Sequence, residues 1–160
     1  MPQPSVFGGG DAQAQGAEAS GQIHLSGSCF CRGLVYQLRL DSKDEARTSL
    51  CHCGSCKKAF GGAFGLTTKV PLHGFRYTNG KPTIYAADNG LGTAAYREFC
   101  NKCGSCICEY SEQTKTLYRY IALGSLDEPS ALPPKGEFFC SQREDWMSEI
   151  PGELAQFVKQ

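Results

Sequence analysis

The chain has 160 residues, and its sixteen basic and sixteen acidic side chains give a formal net charge of zero. A chain of this length can bury a hydrophobic core without a metal ion to hold it together. The neutral charge argues against nucleic acid as a partner, because domains that neutralise phosphates usually carry a basic excess.

The first 21 residues are rich in Gly, Ala, Gln and Ser. We predict a disordered N-terminal tail over residues 1–21, because such a segment buries too little apolar surface to offset its ordering entropy. It lacks the basic and apolar regions of a secretory signal, and no apolar run reaches the length of a membrane span. We therefore expect a cytoplasmic protein with no membrane partner and one folded domain over residues 22–160.

The folded part is predicted to be mainly β. Residues 32–40 alternate apolar and polar side chains, which is typical of a half-buried strand. Residues 116–123 are rich in β-branched and aromatic side chains. Shorter strands are predicted at residues 63–70, 82–86, 94–99 and 107–110. Helix is favoured only at residues 55–60 and 152–159.

Two close cysteine pairs flank the predicted strands. Cys29 and Cys31 precede one strand, and Cys100 and Cys103 follow another. Such spacings bring sulfurs to one ion, and zinc takes four thiolates in a closed tetrahedral structural site. Free cysteines buried in the core are the alternative, and two tight pairs favour the metal.

Three more cysteines, Cys51, Cys53 and Cys56, lie within six residues. Three protein ligands and one open position are typical of a catalytic zinc. His52, between two of them, is expected to form a local hydrogen bond rather than bind the ion. A fourth cysteine could instead close this set and make it structural; the candidates are Cys106, Cys108 and Cys140.

The spacing of Cys100, Cys103 and Cys106 also fits three ligands of an iron–sulfur cluster, but the usual following x-x-x-Cys-Pro is missing. Cys106 and Cys108 are instead predicted to share one face of a strand and to pack as small core side chains. Cys140 is interpreted in the same way.

Several motifs together resemble the glutathione-dependent formaldehyde-activating enzyme family, which also contains centromere protein V. They are GSCFCRGLVY at 27–36, CHCGSCKK at 51–58 with two glycines after it, FCNKCG at 99–104, and a late segment with GSLD at 124–127, Ser141 and Trp146. The resemblance extends over about residues 25–158. It implies a β-tent-like fold of short antiparallel sheets around two zinc ions per chain. It also implies a structural ion on Cys29, Cys31, Cys100 and Cys103, and an ion linked to activity on Cys51, Cys53 and Cys56.

The resemblance further implies a carbon–sulfur lyase that acts on a small thiol or its adduct, such as S-hydroxymethylglutathione. A substrate thiol bound as fourth zinc ligand would be held ionised. His52, Lys57 and Glu137 are candidates to exchange a proton with the adduct oxygen. Glu137 stands where the family usually has histidine, which points to a different substrate. The alternatives are a non-catalytic interaction module and a zinc-stapled scaffold or zinc carrier.

Overall fold

The computed structural model describes residues 21–88, 92–152 and 154–158, which contain eleven strands and one α-helix. The strands are β1 (Ile23–Ser28), β2 (Val35–Leu40), β3 (Arg47–Cys51), β4 (Gly65–Pro71), β5 (Phe75–Asn79), β6 (Thr83–Asp88), β7 (Ala94–Phe99), β8 (Cys106–Ser111), β9 (Tyr118–Ala122), β10 (Pro134–Phe138) and β11 (Ala155–Phe157). The helix α1 is Gly54–Phe60, and 3₁₀ turns lie at Lys43–Glu45, Leu72–Gly74, Leu123–Ser125, Pro129–Ala131 and Cys140–Gln142. Residues 1–20 of the predicted tail lie outside the described residues. Within the described ranges, no helix has the length and apolar character needed to cross a membrane.

The strands form two sheets. The smaller is antiparallel with the order β1-β2-β5, and the larger has eight strands in the order β11-β10-β3-β4-β9-β8-β7-β6. The prediction of a small, mainly β domain is confirmed. The larger sheet also contains two parallel pairings, of β10 with β3 and of β10 with β11. These pairings place Phe138, late in the chain, directly beside Cys51.

One cluster of buried side chains joins the two sheets. Tyr36, Leu38 and Leu40 alternate along β2 and are almost fully buried, as their sequence pattern predicts. They belong to the same cluster as Ile107 and Ile121 of the larger sheet. Each buried side chain of this size stabilises the fold by about 1.5–3 kcal/mol. The core therefore holds together the two sheets whose strands precede and follow the cysteine motifs.

The predicted elements agree with the structure except at the C-terminus. The predicted strands overlap β2, β4, β6, β7, β8 and β9, and the helix predicted at residues 55–60 is α1. The helix predicted at residues 152–159 is wrong, because this segment contains β11 (residues 153 and 159 lie outside the described ranges). β11 pairs with the edge of β10, and the Phe157 ring stacks on Phe138 with centroids 4.8 Å apart. Local propensity carries no information about an available sheet edge.

The prediction that Cys106 and Cys108 share a face is also wrong. Glu98 pairs with Cys108, whereas the next residue, Phe99, pairs with Cys106, so β8 has one extra residue at this point. Because directly opposed residues share a face and neighbours along a strand do not, the bulge puts the two cysteines on opposite faces. Cys108 is fully buried in the core, as predicted, and Cys106 lies on the other side of the sheet.

Candidate functional site

Four cysteines from two distant segments meet at one point. The sulfurs of Cys29, Cys31, Cys100 and Cys103 all lie within 4.8 Å of one another. The sulfur of Cys31 lies 3.6 Å from that of Cys29 and 3.7 Å from that of Cys100. Four sulfurs bound to a tetrahedral zinc ion at about 2.3 Å stand about 3.8 Å apart. The spacing of this four-cysteine group therefore fits one metal ion.

Two tight turns present these cysteines. The first turn needs Arg32 in the left-handed region, at φ 57°, and its N–H donates to the Cys29 carbonyl at 2.9 Å. The second has Gly104 at φ 75°, and the Gly104 N–H donates to the Cys100 carbonyl at 2.8 Å. The Leu34 N–H donates to the Cys29 sulfur at 3.2 Å, which favours the thiolate form that binds metal.

Two thiols of this group, Cys103 and Cys31, have pKa values shifted in opposite directions. The Ser105 hydroxyl and N–H lower the pKa of Cys103 to about 5. The Gly33 N–H favours ionisation of Cys31, but the neighbouring Cys29 and Cys103 outweigh it and raise the pKa of Cys31 to about 11. Several thiolates so close together repel one another, and a divalent cation would relieve that repulsion. The chemistry of these donors therefore also fits a metal ion.

The second group is the triplet, Cys51, Cys53 and Cys56. Cys51 ends β3, Cys53 caps the N-terminus of α1, and Cys56 lies in the first turn of that helix. The three sulfurs lie within 4.8 Å of one another, and the described residues bring no fourth Cys, His, Asp or Glu into the group. A hydrogen bond from Cys56 lowers the pKa of Cys51 to about 6 and raises the pKa of Cys56. The triplet thus offers three soft donors and one free coordination position.

A glycine allows α1 to lie close to the sheet. Gly65 pairs with Cys51 across β3 and β4. A Cβ atom at Gly65 would stand 2.8 Å from the Phe60 ring and 2.9 Å from the Cβ of Cys56. The missing side chain therefore sets the position of Cys56 relative to Cys51.

The side chain between the first two triplet cysteines points into the protein. His52 is fully buried, and its Nε2 lies 2.7 Å from Oε1 of Glu137, which is equally buried. Arg143 binds the same carboxylate through two hydrogen bonds, of 2.8 and 3.1 Å. The Nδ1 atom of His52 has no hydrogen-bond partner among the described residues. The predicted local hydrogen bond of His52 is instead a long-range one, to a residue on β10.

Lys57, the third candidate proton carrier, lies on α1. Its ammonium group donates to the Gln142 carbonyl at 2.6 Å and pairs with Glu144. Its side chain is 22% exposed. The three candidate proton carriers thus meet at one segment: Glu137 lies on β10, His52 binds Glu137, and Lys57 binds Gln142 and Glu144.

A cavity of about 770 Å³ opens beside the triplet. Both Cys51 and Cys56 line it, together with an apolar wall that contains Phe138 and Phe157. The basic side chains in its lining are Arg47, Lys69 and Lys135. A cavity of this size suits a small molecule, and neither His52, Lys57 nor Glu137 is among its lining residues.

The cavity contains an acidic residue that the sequence analysis missed. Glu109 lines it next to Tyr120, its partner on β9, and the Glu109 side chain is only 20% exposed. Burial raises the pKa of Glu109, although Arg97, 3.3 Å away, acts in the opposite direction. Arg97 also donates to the Ser55 hydroxyl on α1 at 3.1 Å. The only signal in the sequence was a charged residue within a strand of apolar and sulfur side chains.

Comparisons with known proteins place these features in context. A family model described as glutathione-dependent formaldehyde-activating enzyme matches residues 24–142. This range contains all seven cysteines of the two groups. Among solved structures, a crystal structure of a Rhodobacter sphaeroides protein is similar, with 19% sequence identity and a TM-score of 0.48. The similarity covers 64% of this chain and 87% of that chain. No curated protein matches.

Proposed function

The chain belongs to the glutathione-dependent formaldehyde-activating enzyme family, and from that premise we propose that it is a zinc-dependent carbon–sulfur lyase. Its proposed substrate is a glutathione-like thiol adduct, and its reaction is formation or cleavage of an S-hydroxymethyl thiol. The observation that carries this proposal is the position of the three-donor triplet, with Cys51 and Cys56 in the lining of the cavity. A metal ion there would have one coordination position for a substrate sulfur.

The two cysteine groups would hold two zinc ions with different roles. Cys29, Cys31, Cys100 and Cys103 would form a closed structural site that joins segments on both sheets. The triplet, Cys51, Cys53 and Cys56, would hold the second ion. Zinc bound there supplies a positive centre that keeps a coordinated thiol ionised. Thiol donors at these separations suit zinc better than the oxygen-preferring cations.

The cavity suits an extended acidic thiol such as glutathione. Arg47 and Cys51 lie at the two ends of β3, about 13 Å apart at the usual rise of a strand. Lys69 pairs with Arg47 on the neighbouring strand, so two cations lie side by side at that end. A substrate sulfur at the triplet and a carboxylate near these cations would span the cavity. Phe138 and Phe157 would pack against the middle of such a substrate.

His52, Lys57 and Glu137 remain proposed contributors to activity. Since none of them lines the cavity, we propose that they act by holding the triplet in place. The backbone N–H of His52 donates to the Phe138 carbonyl at 3.0 Å, and the His52 ring is hydrogen-bonded to Glu137. Lys57 ties α1 to Gln142. These contacts fix both ends of the segment that carries the three cysteines.

The test is turnover of S-hydroxymethylglutathione by protein loaded with zinc. Exchange between formaldehyde, glutathione and the adduct is followed by NMR and compared with the spontaneous rate. We expect acceleration by the unaltered protein and loss of acceleration in a folded Cys53→Ser variant. Cys140→Ser is the matched control, because Cys140 belongs to neither group. An unaltered protein with both ions and no acceleration would reject the lyase and favour the interaction module or the scaffold.

A further inference from the structure

Two carboxylate side chains line the cavity, and they differ in their surroundings. Asp44 is 94% exposed and pairs with Lys135 at the surface, 3.4 Å away. Glu109 is 20% exposed and lies on β8. Only Glu109 combines a protected position with access to the cavity that Cys51 and Cys56 line. A carboxyl group in this position can meet the part of a substrate that lies beyond its sulfur.

Electrostatic interactions connect Glu109 with the triplet. Its negative charge disfavours the thiolate form of both Cys51 and Cys56, although the hydrogen bond from Cys56 still lowers the pKa of Cys51 overall, so Glu109 lies within electrostatic range of the two thiols. Arg97 pairs with Glu109 across β7 and β8 and reaches Ser55, the residue just before Cys56. One guanidinium group therefore positions the carboxyl group relative to the helix that carries a triplet cysteine.

The surroundings of Glu109 suit a group that gains and loses a proton. Arg97 faces it from β7 and Tyr120 from β9, and Cys51 and Cys56 line the same cavity. Cys106, on the same strand, also interacts with its charge. Burial raises the pKa of Glu109 from its ordinary value, while Arg97 limits the rise. A carboxyl group whose pKa moves towards neutrality is more effective in general acid–base catalysis.

We propose that Glu109 is a catalytic residue that exchanges the proton with the substrate oxygen in the lyase reaction. This inference rests on the function proposed above. In cleavage, the Glu109 carboxylate takes the hydroxyl proton of the S-hydroxymethyl thiol. The O–H electrons form the carbonyl bond of formaldehyde, the C–S bond breaks, and its electrons return to sulfur as the thiolate. In the reverse direction, the thiolate attacks formaldehyde and the Glu109 carboxylic acid protonates the resulting alkoxide.

The test compares Glu109→Gln with Glu112→Gln. The amide introduced by Glu109→Gln keeps the shape of the side chain and a contact to Arg97, but it cannot exchange a proton in this way. Glu112 is a matched control because it lies just after the same strand and pairs with exposed Lys115. For each protein we measure zinc content, glutathione affinity by calorimetry and the rate of adduct exchange by NMR. A third variant, Glu109→Ala, is assayed with added acetate as an external base.

We expect Glu109→Gln to lose at least about 100-fold in kcat, the usual contribution of a general acid or base. Zinc content and glutathione affinity should match those of the unaltered protein, and acetate should restore part of the activity of Glu109→Ala. The Glu112→Gln variant should be fully active.

The outcomes separate this inference from the proposed function. An active unaltered protein with an equally active Glu109→Gln variant overturns the role of Glu109 and leaves the lyase intact. Parallel loss of glutathione binding in Glu109→Gln also overturns it, because the residue would then serve binding. An unaltered protein that binds zinc and shows no exchange rejects the lyase and this inference together.

Discussion

The Nε2 atom of His52 lies 2.7 Å from Oε1 of Glu137, and both side chains are completely buried. His52 belongs to the segment that carries the triplet, and Glu137 lies on β10. Arg143 completes the contact by binding both oxygens of the same carboxylate. This buried hydrogen-bond network, which contains the Arg143–Glu137 ion pair, connects the candidate metal centre with the C-terminal part of the larger sheet.

Removal of the Glu137 carboxylate should destabilise the fold strongly. Glu137→Ala removes the buried partner of Arg143 and leaves it only the exposed Glu149, 3.9 Å away, and breaking a buried ion pair in this way usually costs about 3–5 kcal/mol. Urea denaturation of the zinc-loaded proteins measures the change. Lys135→Met is the control, because it removes the exposed pair with Asp44 and should change the free energy of unfolding by less than about 1 kcal/mol. Equal effects of the two substitutions would contradict the prediction.

The same network predicts that the free energy of unfolding depends on pH in the acid range. Burial alone would raise the pKa of Glu137, but the hydrogen bonds from Arg143 and His52 outweigh it and lower the pKa below its ordinary value. A lowered pKa stabilises the fold above the ordinary glutamate pKa of about 4.3, and this contribution is lost as the pH falls through the folded-state pKa.

The difference in unfolding free energy between the unaltered protein and Glu137→Gln should therefore shrink as the pH falls below about 4. Using the difference removes the effect of acid on the cysteine groups, which both proteins share. A difference that stays constant down to the lowest measurable pH would show that Glu137 contributes through packing alone.

We expect two zinc ions and no iron per chain, because the described residues form two separate sulfur groups. Elemental analysis of protein purified without chelator checks the stoichiometry. Replacement of Cys106, Cys108 or Cys140 singly by Ser should leave two zinc equivalents, because none belongs to either group. Loss of one equivalent in any of these variants would show that a fourth cysteine closes the triplet. Iron with acid-labile sulfide would indicate a cluster protein instead.

The two groups should differ in their coupling to folding. The four-cysteine group joins segments far apart in the chain, so its metal binding energy is also folding energy. Cys29→Ser should give insoluble or unfolded protein, whereas Cys53→Ser should stay folded with one zinc ion and no activity. Circular dichroism during chelator titration distinguishes the two sites. Simultaneous release of both ions with global unfolding would mean that the triplet is structural.

Substitution of Gly65 tests whether the position of α1 matters for the triplet. In Gly65→Ala, the added methyl group would meet the Phe60 ring and the Cβ of Cys56 at under 3.0 Å, so Cys56 must shift. We expect weaker zinc binding at the triplet, by about 10-fold or more, as for other changes around metal ligands. Gly54→Ala, within α1 itself, is the matched control, because a Cβ there meets nothing within 4 Å. Competition with a chelator of known affinity measures the effect, and equal affinities would contradict the prediction.

The sequence by itself determined the class of fold and the cysteine groups. Strand periodicity is a local property, so the burial of Tyr36, Leu38 and Leu40 could be predicted from alternation alone. Thiol ligands are similarly recognisable, because zinc sites take their cysteines at short, characteristic spacings in the chain. Residues 29–31, 51–56 and 100–103 thus identify both groups without knowledge of the fold.

Only the tertiary structure decided which residues face the cavity. Glu109 on β8 and Phe157 on β11 reach the cavity beside the triplet through strand pairings between distant parts of the chain, and no local pattern encodes those pairings. A single bulge in β8 reversed the predicted face of Cys106, and a free edge on β10 made a strand of a segment predicted to be a helix. Side-chain direction depends on register and pairing partner, which are settled by packing over the whole domain. The cysteines could therefore be found from the sequence, whereas the cavity beside them and the acidic residue within it could not.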